Sequence, residues 1–485
     1  MKRPTLPKSL AIAVLALSFA PAAPAAEEAD ALLRRAATAM GADNLKTLRY
    51  AGKGMGASFG QAFVPGMAWP KLNYPSYERQ VDYVTVFTSE QVTRSRAEPK
   101  GGGAVPLTGE ARFGGVATAT NAWNLAGPVP VPRNAALTER LHDLWITPHG
   151  VIKAAAKSNA RLEFRSENGG SVAAVSFAVP GVMTATAFFN DDYLVERVES
   201  RVPGPVLGDT SVVTRYSGYR DYGGVKFPTR IQQTQGGFMT LDLTVSEVVP
   251  NAPVNAVVPE NVVKAAERVV AEKAADGVWF LAGGSHNSAA IEMSDHVILV
   301  EAPLGDERVG AVFAEVRKLI PGKPVRYAVN SHNHFDHSGG LRAAVAEGAT
   351  IVAQAQSKPY WEKVFANPNR IAPDLLAKSG KRATVVGVGE KMVMKDAART
   401  VELHRIKGTD HVDTFLMVYL PKERLLVQAD AFTPGPPNGP VPNPPNAGHV
   451  NLVQNLDRLK LDVDRILPLH GRMVPLAELN RMVGK

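Results

Sequence analysis

One stretch decides how the second half of this chain is interpreted: Asn330–Gly340, which reads NSHNHFDHSGG. It places four potential metal ligands, His332, His334, Asp336 and His337, within six residues. An apolar strand-like run leads into it, and at the end of a strand residues i and i+2 point the same way. His332 and His334 can therefore reach one ion, and Asp336 and His337, after a turn of the chain, can reach a second. A lone histidine is usually a buried structural side chain, but four potential ligands at this spacing predict metal binding.

Two ions need more ligands than this motif supplies, and three further candidates lie downstream. His411 follows a glycine-containing turn and precedes a predicted strand, whereas Asp430 and His470 each end an apolar strand-like run. An aspartate at the end of such a run is costly to bury unless it is paired or bound to metal. Gly339 and Gly340 are expected to let the backbone turn sharply beside the site.

Composition limits the chemistry that such a site can use. The chain has 485 residues, no cysteine and eleven histidines, nine of which lie between His286 and His470. The missing cysteine excludes a disulfide scaffold, a thiol nucleophile and an iron–sulfur cluster, so any metal must be held by histidine and carboxylate. The net charge of +8 is mild for this length, and no run of lysine and arginine predicts a nucleic-acid partner.

The first residues are typical of a secretory signal peptide, predicted to cover residues 1–26. A basic start with Lys2, Arg3 and Lys8 is followed by the apolar run Ser9–Ala20 and a small-residue segment with a cleavage site at Ala23–Ala25. The apolar run is shorter than the roughly 20 residues that span a bilayer. We therefore expect an exported protein, periplasmic or secreted, without a transmembrane segment.

In the remaining chain, the pattern of predicted strands and helices changes once. Residues 27–250 show short alternating runs separated by glycine-containing turns, which predicts a mainly antiparallel β domain, a curved meander sheet or open barrel. A helical stretch at 135–158 is expected to be interrupted at Pro148–Gly150. Residues 251–264 form a proline-containing predicted linker. From 265 to 485 strand-like and helix-like segments alternate, which predicts an α/β domain.

The order of these candidates resembles that of the metallo-β-lactamase superfamily. In this chain, His411 follows His332 by 79 residues, Asp430 follows after 19 more, and His470 after another 40. The resemblance covers roughly residues 265–485 and implies an αββα sandwich with two divalent metal ions at one edge of its sheets. It implies that His332, His334 and His411 hold the first ion, that Asp336, His337 and His470 hold the second, and that Asp430 bridges both.

The resemblance also implies a mechanism, in which a hydroxide between the ions attacks the substrate and Asp336 orients it and takes its proton. Zinc is the favoured metal, although histidine and carboxylate ligands also suit manganese and iron. A bridging Asp430 is similar to lactonases, thioesterases and phosphodiesterases of the superfamily, whereas antibiotic-hydrolysing members usually carry cysteine or serine there. The predicted function is therefore hydrolysis of an ester, lactone, thioester or similar bond in a small-molecule substrate, with a β-lactamase as an alternative.

The first half carries a second resemblance, over the hairpin Tyr219–Arg230. It is similar to a hairpin of periplasmic lipoprotein-carrier-like domains, which are half-barrels that grip acyl chains. It implies either a hydrophobic substrate or partner for this domain or a purely supporting role, and a carrier with a structural α/β half is the third functional alternative. His286, which precedes a predicted strand, is only a lesser candidate for the metal edge, and the loop 434–449 either covers the site or is a surface excursion. The sequence does not predict an oligomeric state.

Overall fold

In a computed structural model, the chain is described for residues 23–98, 109–125, 127–167 and 169–485. The predicted signal peptide at 1–26 lies outside these residues except for its last four positions, which begin the first helix. Among the described residues, no helix is both long enough and apolar enough to cross a membrane.

The amino-terminal half is built around one open, wholly antiparallel sheet, to which the described residues contribute thirteen strands. Its order is β6-β5-β4-β3-β2-β1-β13-β12-β11-β10-β9-β8-β7, so paired strands are neighbours in sequence except where β1 meets β13, and β6 and β7 lie at opposite edges. The strands are β1 (Thr47–Ala57), β2 (Lys71–Asp82), β3 (Phe87–Arg96), β4 (Ala111–Ala117), β5 (Ala122–Asn124), β6 (Val131–Pro132), β7 (Arg161–Glu167), β8 (Gly170–Val179), β9 (Met183–Phe189), β10 (Val195–Val202), β11 (Thr210–Asp221), β12 (Lys226–Gln235) and β13 (Phe238–Pro250).

Three helices cover one face of this sheet: α1 (Ala23–Met40), α2 (Leu137–Trp145) and α3 (Pro148–Ala155). Their apolar side chains, such as Leu33, Leu144 and Ile152, share a core with Phe227 and Leu243 of the sheet. A short 3-10 turn at Asn134–Ala136 precedes α2.

The break between α2 and α3 differs from the predicted interruption at Pro148–Gly150. The helix stops at Trp145 and restarts at Pro148, because Thr147 accepts a hydrogen bond from the Gly150 amide as an N-cap. Proline suits the first helical turn, where its missing N–H has no intrahelical partner.

The carboxyl-terminal half contains two sheets. The first, in sequential order, consists of β14 (Val270–Ala275), β15 (Val278–Ala282), β16 (Ser288–Glu292), β17 (Val297–Val300), β18 (Val325–Val329), β19 (Thr350–Gln354) and β20 (Val385–Val388), and it turns parallel from β17 onward. The second consists of β21 (Lys391–Lys395), β22 (Thr400–Arg405), β23 (Leu416–Leu420), β24 (Leu425–Gln428), β25 (Arg465–Pro468) and β26 (Val474–Pro475).

Eight helices accompany these two sheets among the described residues of the second half: α4 (Glu260–Val263), α5 (Asp306–Leu319), α6 (Phe335–Ser338), α7 (Leu341–Glu347), α8 (Lys358–Ala366), α9 (Leu375–Ser379), α10 (Ala447–Leu459) and α11 (Leu476–Met482). A 3-10 turn at Ala355–Ser357 precedes α8. Strand β17 shows how the layers form, since side chains alternate between faces along a strand. Ile298 and Val300 pack toward the second sheet, whereas Val297 and Leu299 pack against the helices α5, α7 and α8.

These layers confirm the predicted fold class, a mainly antiparallel β region followed by an α/β region with two sheets. The predicted linker at 251–264 contains no strand, but it ends in α4, whose Val262 is buried against Phe87, Val116 and Trp123 of the first sheet. The domain boundaries themselves remain a prediction.

Candidate metal centre

The motif Asn330–Gly340 follows directly from β18, as the sequence predicts. His332 and His334 lie in the turn after the strand, and Asp336 and His337 lie in the short helix α6. Gly339 and Gly340 have ordinary negative φ values of −61° and −99°, so they are not required for a sharp turn. They are required for packing, because a Cβ on Gly339 would lie 2.1 Å from the Leu304 carbonyl oxygen and a Cβ on Gly340 would lie 2.0 Å from a methyl of Val309.

The first ligand group contains His332, His334, His411 and Asp430, whose candidate ligand atoms all lie within 4.8 Å of one another. The Nε2 atoms of His332 and His411 are 3.3 Å apart, and Asp430 Oδ2 lies 3.0 Å from His411 Nε2. Both ring nitrogens of His334 are buried without a hydrogen-bond partner. Ligands at 2.0–2.1 Å from a tetrahedral ion must stand about 3.3 Å apart, so this spacing fits zinc.

The second ligand group contains Asp336, His337 and His470, and it also takes in His286. The Nε2 atoms of His337 and His470 are 3.1 Å apart. Asp430 Oδ1 lies 3.1 Å from each of these two nitrogens, yet it has no partner in hydrogen-bond geometry. Such short approaches without hydrogen bonds are expected where lone pairs converge on an ion.

The structure therefore brings together all seven residues that the sequence predicts as ligands: His332, His334, Asp336, His337, His411, Asp430 and His470. Asp430 lies between the two groups, with one carboxylate oxygen toward each. Each group then has four donors when Asp430 is counted in both, which suffices for a tetrahedral ion. Ligation itself remains a prediction.

Three of the histidine rings, those of His332, His337 and His470, have a partner on the other imidazole nitrogen. Ser331 Oγ lies 2.9 Å from His332 Nδ1, and the Ser285 carbonyl oxygen lies 2.7 Å from His470 Nδ1. Glu301, which is fully buried, lies 3.3 Å from His337 Nδ1. Such contacts leave Nε2 free for an ion and fix the tautomer.

Electrostatics at the site favour a cation. Burial lowers the pKa of His334 to about 3 and holds the pKa of His332 well below its ordinary value, so both rings are neutral and able to ligate. Burial also disfavours a charge on His337, but Asp430 and Asp336 outweigh it and raise its pKa well above the ordinary value. Burial opposes ionisation of Asp430 as well, yet His337 holds its pKa well below the usual range. The carboxylates thus create a negative potential that a metal ion would neutralise.

The amino-terminal half contributes directly to this centre through the β1–β2 loop, residues 58–70. Gln61 Nε2 donates to Asp336 Oδ1 at 2.8 Å, and Gln61 is only 8% exposed. The Phe335 amide donates to the Gly60 carbonyl at 3.1 Å. Gly60 has a φ of +79°, and a Cβ there would lie 2.6 Å from the ring of Phe335, so only glycine fits.

Sequence reasoning missed Gln61 and ranked His286 too low. His286 Nε2 lies 3.2 Å from Asp336 Oδ2, and His286 is nearly fully buried. Burial lowers the pKa of His286 to about 4, which keeps this ring neutral. Its position before β16, at the edge where the other ligands were expected, was a usable signal. Gln61 carries no such signal, because it lies 275 residues from Asp336, in a loop between two strands of another sheet.

Comparison with known proteins agrees with this geometry. Residues 281–470 match the family model of the Metallo-beta-lactamase superfamily. That part of the chain matches a metallo-β-lactamase superfamily domain, which indicates a metallo-hydrolase.

Among solved structures, the domain is similar to a metallo-β-lactamase from Pontibacter korlensis, with 16% identity, coverage of 45% of this chain and 98% of that one, and a TM-score of 0.35. It is similar to FIM-1 from Pseudomonas aeruginosa in its mono-zinc form, with 19% identity, 44% and 93% coverage, and a TM-score of 0.32. It is also similar to a metallo-β-lactamase from Hirschia baltica, with 17% identity, 44% and 96% coverage, and a TM-score of 0.34.

Proposed function

We propose that this protein is an exported dinuclear hydrolase that cleaves an ester, lactone, thioester or similar bond, with two zinc ions as its cofactors. The observation that carries the proposal is the position of Asp430. Its Oδ2 lies 3.0 Å from His411 Nε2 in the first ligand group, and its Oδ1 lies 3.1 Å from His337 Nε2 in the second. One carboxylate shared by two histidine groups suits two ions held side by side.

Two ions held by these groups would acidify a water molecule and polarise the carbonyl oxygen of the substrate. Asp336 takes the proton of the attacking water in this scheme. The water oxygen bonds to the acyl carbon, the bond from that carbon to the leaving oxygen or sulfur breaks, and the proton passes to the leaving group. Gln61 and His286 hold one oxygen of Asp336 each, which keeps the carboxylate in a single orientation.

His286 acts on Asp336 in this proposal and does not ligate an ion. Its Nε2 faces Asp336 Oδ2 at 3.2 Å, and its Nδ1 lies 2.8 Å from Ser285 Oγ. A neutral imidazole nitrogen that donates a hydrogen bond has no lone pair left for a metal. The second group already has four donors without it, in Asp336, His337, His470 and the shared Asp430.

Metal analysis together with a substrate panel tests this function. The purified full chain, loaded with zinc, should bind two ions and hydrolyse at least one of an aryl ester, a γ-lactone and a thioester. His332→Ala should lose one bound ion, and its kcat/KM should fall more than roughly 100-fold. His449→Ala, which lies outside both ligand groups, should keep two ions and the wild-type kcat/KM. Fewer than one ion per chain would overturn the proposal, and rapid turnover of a chromogenic cephalosporin with no ester hydrolysis would assign β-lactam cleavage instead.

Export follows from the three-part layout of residues 1–26, which ends in small residues before Glu27. Expression of the full-length chain in a Gram-negative host should yield a periplasmic protein whose amino terminus lies close to Ala26. A cytoplasmic protein that retains Met1–Ala20 would contradict the assignment.

A further inference from the structure

A cavity of about 530 Å³ lies between the amino-terminal sheet and the metal centre. Phe335 and Asp336 line it at the metal end, beside Gln61 of the β1–β2 loop. From there its lining extends onto β2 and β3 of the sheet, where Tyr74 and Arg94 line it. The cavity therefore connects the proposed reaction site with the interior of the β region.

Part of the cavity wall is aromatic and apolar. Tyr74 and Tyr77 stack with ring centroids 6.2 Å apart, and Phe113 and Leu241 add further apolar surface. Beside the metal end, Phe59 meets the ring of Phe335 edge-on at 5.3 Å. Walls of this kind suit an extended apolar segment of a substrate, because they exclude water from it.

Two of the arginines that line the cavity are fully engaged by the protein. Arg79 contacts Glu90 at 2.5 Å and Asp143 at 3.1 Å. Arg140 donates to the carbonyl oxygens of Val116 and Trp123, at 2.9 and 2.7 Å. Both guanidinium groups therefore already have acceptors within the protein.

Arg94 differs from both. Its guanidinium lies over the Phe113 ring, 4.9 Å from the centroid, and its Nε is buried without a hydrogen-bond partner. Among the described residues, no salt bridge joins Arg94 to a carboxylate. A buried N–H without an acceptor costs free energy. An anionic group of a ligand in this cavity would supply an acceptor to this guanidinium.

We propose that this cavity is the substrate pocket and that Arg94 binds a carboxylate on the acyl part of the substrate. The proposal rests on the hydrolase function proposed above and narrows its substrate class. The scissile carbonyl lies at the Asp336 end, an apolar segment follows the aromatic wall, and a terminal carboxylate meets the guanidinium of Arg94. Half-esters of dicarboxylic acids, and lactones or thioesters of the same shape, belong to this class.

A kinetic comparison tests the pocket. Mono-4-nitrophenyl esters of glutaric, suberic and sebacic acid are compared with neutral 4-nitrophenyl esters of equal chain length. Arg94→Gln should raise KM roughly 10- to 100-fold for the half-ester that spans the cavity, as expected when a charged hydrogen bond is lost, and should change KM of the neutral esters less than twofold. Arg94→Lys should restore part of the affinity. Arg112→Gln is the matched control, since Arg112 lies on the exposed face of β4 next to Phe113.

A binding measurement separates this proposal from the function on which it rests. Calorimetric titration of the zinc-loaded full chain with suberic acid monoamide and with neutral suberamide requires no hydrolysis. The wild type should bind the monoamide roughly tenfold or more tightly, and Arg94→Gln should abolish that difference. Equal preference in wild type and variant would place the carboxylate elsewhere, including on the ions, and would overturn the proposal. Absence of any ester hydrolysis would instead overturn the proposed function.

Discussion

Replacement of Gln61 by alanine is the sharpest single test of whether the β region takes part in catalysis. The side chain donates one hydrogen bond, 2.8 Å long, to a carboxylate that is 21% exposed. A hydrogen bond to a charged group contributes about 1.5–3 kcal/mol, and the partial exposure of Asp336 favours the lower part of that range. A loss of about 1.5–2 kcal/mol corresponds to a decrease in kcat/KM of about 10- to 30-fold.

The assay is kcat/KM on the best ester, measured together with bound zinc and the melting temperature. Gln61→Glu keeps the side-chain volume but places a second negative charge beside Asp336, so its loss should exceed that of Gln61→Ala and should diminish as the pH falls and the new carboxyl is protonated. Met67→Ala, in the same loop and 57% exposed, is the control and should behave as wild type. If Gln61→Ala stays within twofold of wild type, or loses activity only in proportion to its melting temperature, the positioning role is refuted.

Three further predictions concern residues around the centre and in the amino-terminal core. Glu301→Gln removes the negative charge beside His337 Nδ1, so zinc affinity measured by chelator competition should fall about 10- to 100-fold; unchanged affinity would count against this role. His286→Ala should keep two ions per chain but lower kcat at least about tenfold, because Asp336 loses a hydrogen bond; loss of one ion would make His286 a ligand. Burial lowers the pKa of His149 to about 4, so as the pH falls below about 6.5 this histidine is protonated in the unfolded chain before it is in the folded one, which destabilises the folded state. Between pH 7 and pH 5, the free energy of unfolding measured with urea should therefore fall by about 2 kcal/mol less in His149→Gln than in the wild type.

The grouping of the seven candidate ligands could be predicted from the sequence because the chain supplies it in local signals, whereas metal binding by them stays a prediction. His332, His334, Asp336 and His337 are close in sequence, so strand geometry alone relates them. Asp430 and His470 needed the strand-end pattern and His411 the turn before a strand, signals that work because several strands end at one edge of the sheets. The residues that lie at such an edge can be predicted even when the order of the strands in the sheet cannot.

The supporting residues could not be predicted in the same way. Glu301 reaches His337 because β17 and β18 are parallel neighbours, so that the residue after β17 meets the turn after β18. Gln61 reaches Asp336 because a loop of a different sheet folds over the centre. Strand pairing and the contact between the two halves are tertiary facts that local patterns do not contain.

Glycine and proline each mark a structural feature where the sequence predicts one, but two details differ. The reason predicted for Gly339 and Gly340 is wrong, and so is the position predicted for the break at Pro148. Gly339 and Gly340 mark a close approach of the residues after α6 to residues 302–304 and Val309 rather than a sharp turn. Pro148 begins a helix rather than interrupting one. In each case the residue type limits the local conformation. The residues packed around it determine whether that limit serves a turn, a close contact or the start of a helix.

The β1–β2 loop joins the amino-terminal sheet to the candidate metal centre by direct contacts. The Phe335 amide beside Asp336 binds the Gly60 carbonyl, and the Asp413 amide beside His411 binds the Phe63 carbonyl at 2.9 Å. Asp336 belongs to the segment that follows strand β18 of the first α/β sheet, whereas His411 belongs to the loop between β22 and β23 of the second. One loop of the β region therefore contacts a ligand-bearing segment from each sheet. We therefore expect a shift of this loop to alter both candidate ligand groups, since a segment of each is hydrogen-bonded to it.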